Sequence, residues 1–223
     1  MQSKNPLRHL LAMIVLLVPM AYLGYVWNEL PPRIALHFGA SGQANGWGDR
    51  NGLLVQTIIV TVITLVAYIV VVNAHKLDKK RTHGVKPPMF DTIAFVAVLF
   101  MSIISLAIII NGINPDGMLF NKIVLPATGM FFIFIGNVMY SIRPNRFVGV
   151  RIPWTLNNDD NWKHTHRLAG KLFFAGGLMI TFVSLVYKTE IAAMFMSGIV
   201  LIILVITVGY SYNFYRTTQK NKA

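Results

Sequence analysis

Residues 92–111 read TIAFVAVLFMSIISLAIIIN, a run of 20 positions without a single Asp, Glu, Lys or Arg. An apolar helix of about 20 residues is long enough to cross the hydrocarbon layer of a bilayer. Similar runs recur along the chain, and together they predict an all-α polytopic membrane protein with six transmembrane helices. The predicted spans are Leu10 to Asn28, Leu53 to Val72, Thr92 to Asn111, Ile123 to Ile142, Leu172 to Tyr187 and Ile191 to Tyr215.

The overall composition supports this fold class. Of 223 residues, 55% are hydrophobic and only 13% are charged, which is too apolar for an ordinary soluble domain. The chain has no cysteine, so disulfides, thiolate metal sites and a cysteine nucleophile are excluded. Residues 19–22 lack a small-residue cleavage site, so the first span is expected to remain as an uncleaved anchor.

The distribution of positive charge predicts the orientation of the chain. Sixteen of the 20 Lys and Arg residues fall in the N-terminus, in residues 73–91 and 143–171, and in the C-terminal tail, and only four fall in the alternate segments. Because cations near span ends are retained in the cytoplasm, both termini are expected to be cytoplasmic, in the cell (inner) membrane. The net charge of +12 then reflects orientation and attraction to the anionic lipid bilayer, and direct nucleic-acid binding is not expected.

The chain divides into three parts on this basis. Residues 1–73 hold the first two spans and an outer loop at 29–52. Residues 74–142 hold a basic cytoplasmic loop and the third and fourth spans. Residues 143–223 hold a cytoplasmic signature segment and the fifth and sixth spans.

The stretch from Arg143 to Lys171, RPNRFVGVRIPWTLNNDDNWKHTHRLAGK, is dense in polar and aromatic residues, and we call it the polar segment. Prolines punctuate its first half. Asn157 or Asn158 can then cap a helix that runs into the fifth span. On that helix Trp162 and His166 lie one turn apart on the same face.

The polar segment is read as a platform at the membrane surface. Trp154 and Trp162 are expected to anchor at the interface, His166 to donate a structural hydrogen bond, and Arg146, Arg151 and Arg167 to meet phosphates or an acidic partner. The two histidines, His164 and His166, point in opposite directions on a helix, so no metal site is expected. No nucleophile elbow or carboxylate pair is present, so neither an enzyme nor a cofactor is predicted.

The outer loop reads ELPPRIALHFGASGQANGWGDRNG. Pro31 and Pro32 are expected to stop the first helix, and Ile34 to Phe38 alternate as a short extended segment does. Two interpretations stay open. The loop meets a ligand outside the cell, or its aromatic residues simply lie at the level of the lipid headgroups. The residues proposed for recognition are Pro31, His37, Gly42 and Trp47.

Two patterns inside the spans predict helix packing. Thr57, Thr61 and Thr64 share a face of the second span and are expected to form interhelical hydrogen bonds, as are Ser102 and Ser105 in the third. Glycines at 170, 176 and 177 give the fifth span a face that another helix can approach closely.

The motifs Asn145 to Leu156 (NRFVGVRIPWTL) and Trp162 to Gly170 (WKHTHRLAG) resemble the signature of the SdpI/YfhL family of bacterial integral membrane proteins. The outer loop resembles the short domain of unknown function that commonly precedes it. The sequence departs from the family at two positions, with Asn45 in place of an acidic residue and Ile152 in place of Thr. The signature residues carried over are Asn145, Gly149, Arg151, Pro153, Trp154, Thr155, Trp162, His166, Arg167 and Gly170.

The resemblance implies a membrane immunity or resistance protein against a membrane-active antimicrobial peptide. It implies a secreted toxin peptide as partner on the outer face, and signalling through a transcriptional repressor held on the cytoplasmic face. Two alternatives from other classes stay open, a small-solute or peptide transporter and a membrane-embedded enzyme. The spans contain no ionisable residue that could couple an ion gradient, which disfavours the transporter.

Overall fold

The computed structural model describes residues 6–39, 43–77, 87–113 and 119–220. Six helices in this part are long and apolar enough to cross a membrane, which confirms the predicted number. In chain order they are α1 (Pro6–Tyr25), α2 (Arg50–Val72), α4 (Pro87–Ile113), α5 (Leu119–Met139), α7 (Asp159–Val186) and α8 (Thr189–Lys220). Two short helices lie between them, α3 (Ala74–Leu77) and α6 (Pro153–Leu156).

The long helices pack as two groups. Helices α1, α2 and α4 contact one another, α5 packs most extensively on α7, and α7 packs on α8. Contacts between α4 and α5 join the two groups. Many apolar side chains point outward, and Leu17, Ile59 and Phe182 are all more than half exposed. These outward faces are the surfaces that lipid would cover.

Glycines bring α5 and α7 into close contact. A Cβ atom added at Gly136 would lie 2.7 Å from the carbonyl oxygen of Gly170, and one added at Gly177 would lie 2.6 Å from that of Gly129. Any larger residue would force these two backbones apart. The predicted close approach is therefore confirmed at Gly170 and Gly177, whereas Gly176 faces α8.

The hydroxyl groups inside the spans behave in two ways. Thr57, Thr61 and Thr64 each donate to the carbonyl four residues earlier in α2, so the prediction of interhelical bonds is wrong at these positions. The reason is that such a carbonyl is always within reach of a helical threonine. Ser102 does bond between helices, donating from α4 to the carbonyl oxygen of Val15 in α1 at 2.9 Å.

The outer loop folds as an antiparallel hairpin of β1 (Ile34–Phe38) and β2 (Ala44–Gly48). The extended segment predicted from residues 34–38 is confirmed as β1. Its partner strand was not predicted, because ANGWG shows no apolar alternation. The hairpin rests on the end of α4, where a Cβ atom at Gly112 would lie 2.8 Å from the Ile34 side chain.

Helix α4 shows how far the hairpin lies from the polar segment, because its two ends lie beside these two regions. Near its start, Ile93 lines a cavity together with Val148 and Val150 of the polar segment, and near its end Gly112 contacts the hairpin. These two positions are 19 residues apart in sequence, which is a rise of about 28 Å along a helix. This is close to the thickness of the hydrocarbon core, so the hairpin and the polar segment lie at opposite ends of the bundle.

Candidate functional site

The polar segment begins with a turn that is built around one buried asparagine. Asn145 is fully buried, and its Nδ2 donates to the carbonyl oxygens of Arg143 and Val148 at 2.9 and 3.0 Å. Its Oδ1 accepts from the backbone amides of Phe147 and Val148 at 2.8 and 2.7 Å. The side-chain amide thus uses its full hydrogen-bonding capacity to shape residues 143–148.

The backbone conformation of Gly149 allows the amide of the next residue to form a hydrogen bond with His166. Its φ of +114° lies in a region that favours glycine, and a Cβ atom there would lie inside contact distance of the imidazole. The Val150 amide donates to His166 Nε2 at 3.0 Å, so Nε2 carries no proton. Nδ1 then carries the proton and donates to the carbonyl oxygen of Trp162 at 2.8 Å. The structural hydrogen bond predicted for His166 is present, and the ring is neutral.

Trp162 lies inside the protein and not at the membrane interface. Its side chain is 1% exposed, its indole stacks on the His166 ring with centroids 4.0 Å apart, and its Nε1 donates to the carbonyl oxygen of Ile142 at 2.9 Å. The predicted interfacial anchor is therefore wrong at this position. An interior acceptor satisfies the indole N–H, so the side chain needs no water or headgroup contact.

The short helix α6 is held by a threonine. The Thr155 hydroxyl accepts from the Ile152 amide at 3.1 Å and lies 2.8 Å from the carbonyl oxygen of Val150, to which it can donate. Thr155 is fully buried. Ile152 stands at the position before the helix and provides no side-chain cap. The hydroxyl of Thr155 thus joins α6 to the residues that precede it.

A second buried network joins α7 to α8. Asn158 caps α7 by accepting from the Asn161 amide, which confirms one of the two predicted caps. Asn161 is fully buried, and its Oδ1 accepts from Thr165 at 2.8 Å and from the Ser211 hydroxyl at 2.7 Å. Its Nδ2 donates to the Ser211 carbonyl oxygen at 3.0 Å. Sequence reasoning missed this network, because its partners lie 50 residues apart.

Four signature side chains are at least partly exposed. Arg151 and Pro153 are exposed, and Arg151 donates to the carbonyl oxygen of Arg146 at 2.8 Å. Trp154 is half-buried and packs at the edge of a cavity of about 410 Å³, against Tyr212 and Tyr215 of α8. Arg167 is exposed and lies above the Tyr140 ring. The structure thus separates these groups from the buried signature residues.

Two of the four residues predicted for outer recognition, His37 and Trp47, lie on the strands of the hairpin. His37 is exposed, and its Nδ1 lies 2.5 Å from the Oδ1 of Asn45 on the facing strand. Trp47 is 43% exposed, with the Arg33 guanidinium 4.8 Å from its ring centroid. Pro31 lies in the half-buried link before β1. Gly42 is outside the described residues.

Comparison with known proteins connects these two regions to two families. The model of the SdpI/YfhL protein family matches residues 141–211, from the start of the polar segment to the serine that bonds Asn161. This stretch is similar to the SdpI/YfhL family. A second family, Domain of unknown function (DUF1648), matches residues 14–61, which include the hairpin.

One curated relative supports the similarity to the SdpI/YfhL family. The Immunity protein SdpI of Bacillus subtilis (strain 168) is 35% identical over 88 residues, covering 40% of this chain and 42% of that protein. The match thus spans about two fifths of the relative's length. No solved structure matches the chain.

The SdpI/YfhL stretch contains no obvious centre for metal chemistry. In the ranges that the structure describes, no three His, Cys, Asp or Glu side chains come together as metal ligands. His164 stacks on Phe214 of α8, with ring centroids 5.1 Å apart, and His166 is engaged through both ring nitrogens.

Proposed function

We propose that this protein is an immunity or resistance protein of the cell membrane that protects against a membrane-active antimicrobial peptide. The observation that carries the proposal is the family match over residues 141–211, supported by the similarity to a curated immunity protein. That matched stretch contains the complete buried network of the polar segment.

The proposed orientation places the polar segment in the cytoplasm and the hairpin outside. The sixteen-to-four division of Lys and Arg supports this orientation, and six crossings return α8 to the side where α1 begins. Both described ends of the chain are then cytoplasmic. Reporter fusions after Lys163 and Gly46 test it, and an outer signal at Lys163 with a cytoplasmic signal at Gly46 contradicts it.

The proposed mode of protection is binding and not pumping. The hairpin is fixed to the bundle through α4 and through a hydrogen bond from Gln56 of α2 to the Leu36 carbonyl oxygen at 3.2 Å. It exposes one aromatic ring, one imidazole and one guanidinium, from Trp47, His37 and Arg33. Such a fixed amphipathic surface suits the capture of a peptide that arrives from outside.

The proposed cytoplasmic partner is a transcriptional repressor held at the membrane. A partner there would contact the exposed groups of the polar segment, such as Arg151 and the cavity beside Trp154. Signalling and protection would then use opposite ends of the bundle. Changes at the two ends should therefore separate the two activities.

The test is expression in a sensitive host, which should raise tolerance to a membrane-active peptide. His37→Ala and Trp47→Ala should weaken tolerance at unchanged membrane levels, and Gln43→Ala, an exposed change in the same loop, should not. Tolerance should persist at a subinhibitory dose of a protonophore. Loss of tolerance with the proton gradient, together with gradient-driven peptide uptake into proteoliposomes, would support the transporter and reject binding.

A further inference from the structure

A groove of about 460 Å³ runs along the outside of the α5–α7 crossing, at the end of the bundle that carries the polar segment. Its floor is the close contact of Gly136 and Gly170, where neither helix has a side chain to fill the space. Its walls combine cationic, polar and aromatic side chains from both helices. The glycines therefore form the groove themselves, on the outer surface of the two helices.

Two cations stand at one end of this groove. Arg167 lies with its guanidinium 5.1 Å from the Tyr140 ring centroid and its Nη2 3.2 Å from the Tyr140 hydroxyl, so the side chain is held in place. Lys171 follows one turn later on the same helix, and both cations are exposed. Among the described residues, no acidic side chain lines the groove. Paired cations of this kind match a phosphate group.

The other end of the groove has no charged residue and combines an aromatic ring with the amide of Asn137. Phe174 lines it and is 43% exposed. Lys171 is the last charged residue before the apolar run of residues 172–187, so the cations mark the level at which the hydrocarbon region begins. The groove thus runs from a phosphate-binding end at the headgroup level to a hydrophobic end within the membrane.

From this arrangement we infer a specific binding site for an anionic phospholipid. The phosphate lies between Arg167 and Lys171, and one acyl chain follows the glycine floor past Phe174. A free phosphate would satisfy the cations but would leave Phe174 and the glycine floor without a contact. The lipid is therefore the occupant that matches both ends.

The experiment uses the full-length protein in detergent micelles, titrated with dioleoyl phosphatidylglycerol or dioleoyl phosphatidylcholine, with binding followed by native mass spectrometry. Phosphatidylglycerol should bind more tightly. Arg167→Gln and Lys171→Gln should each weaken its binding about fivefold, the effect of one interfacial cation. Lys163→Gln removes the same charge from the same helix outside the groove and should leave the affinity unchanged.

Two further measurements distinguish the binding of a lipid from the binding of a soluble phosphate. Phe174→Ala should weaken phosphatidylglycerol binding, and millimolar inorganic phosphate or glycerol phosphate should not displace the lipid. Displacement by either soluble phosphate would make this an anion site and overturn the lipid assignment. An equal loss of binding in Lys163→Gln would show general surface attraction and would overturn the site itself.

Discussion

The substitution Gly149→Ala tests the central geometry of the polar segment. Gly149 has a φ of +114°, and its position is fixed by the bond from the Val150 amide to His166 Nε2. An added methyl group would collide with the imidazole. The backbone or the histidine must move, so the amide and the ring nitrogen would separate.

The cost has two parts. Holding a non-glycine residue at such a φ costs about 1–3 kcal/mol. Separating the Val150 amide from a nearly fully buried imidazole costs about 1–3 kcal/mol more. A loss of roughly 3 kcal/mol in the free energy of unfolding is therefore expected, which is a large share of the roughly 5–15 kcal/mol that stabilises a typical protein.

The assay is thermal unfolding of the purified protein in detergent micelles, followed by tryptophan fluorescence. Gly198→Ala is the matched control, because a Cβ atom there meets nothing within 4 Å and α8 should gain slightly in stability. Gly149→Ala should unfold at a clearly lower temperature and should lose protection. Equal unfolding temperatures for the two variants would refute the reasoning.

Three further substitutions separate buried from exposed positions. Trp162→Phe removes the donor to the Ile142 carbonyl and should cost about 1–3 kcal/mol, whereas Ser211→Ala removes one bond to Asn161 and should cost about 1 kcal/mol. Arg151→Ala should change stability by less than about 0.5 kcal/mol yet reduce function, because the side chain is exposed. Thermal unfolding and the tolerance assay measure both effects. A destabilisation by Arg151→Ala as large as that by Trp162→Phe would make Arg151 a structural residue.

Much of the fold could be predicted from local sequence. The six helices are predicted by the long runs of sequence that lack charged residues. The cap at Asn158 is predicted by its position before Asp159 and Asp160. The pairing of Trp162 with His166 follows from helical periodicity. These features share one property, which is that each depends only on residues within one continuous stretch of about 20 residues.

The features that were missed depend on residues far apart in sequence. Tryptophan near a span end is usually interfacial, and only the fold shows that Trp162 finds an acceptor at Ile142, 20 residues earlier. The bond between Asn161 and Ser211 crosses 50 residues. The second strand of the hairpin is rich in glycine. Its pairing could not be predicted from its own sequence, because the pairing depends on β1 and on the end of α4.

Burial divides the signature residues by the role that each can have. Asn145, Thr155, Trp162 and His166 use their polar atoms on the protein's own backbone and expose almost none of their surface, so no partner can contact them directly. A substitution that reduces function at one of these positions therefore acts by changing the conformation of the polar segment. Arg151 and its exposed neighbours must carry any recognition at this face, because only they offer unburied atoms to a partner. Substitutions that lower function without lowering stability will thus identify the contact surface.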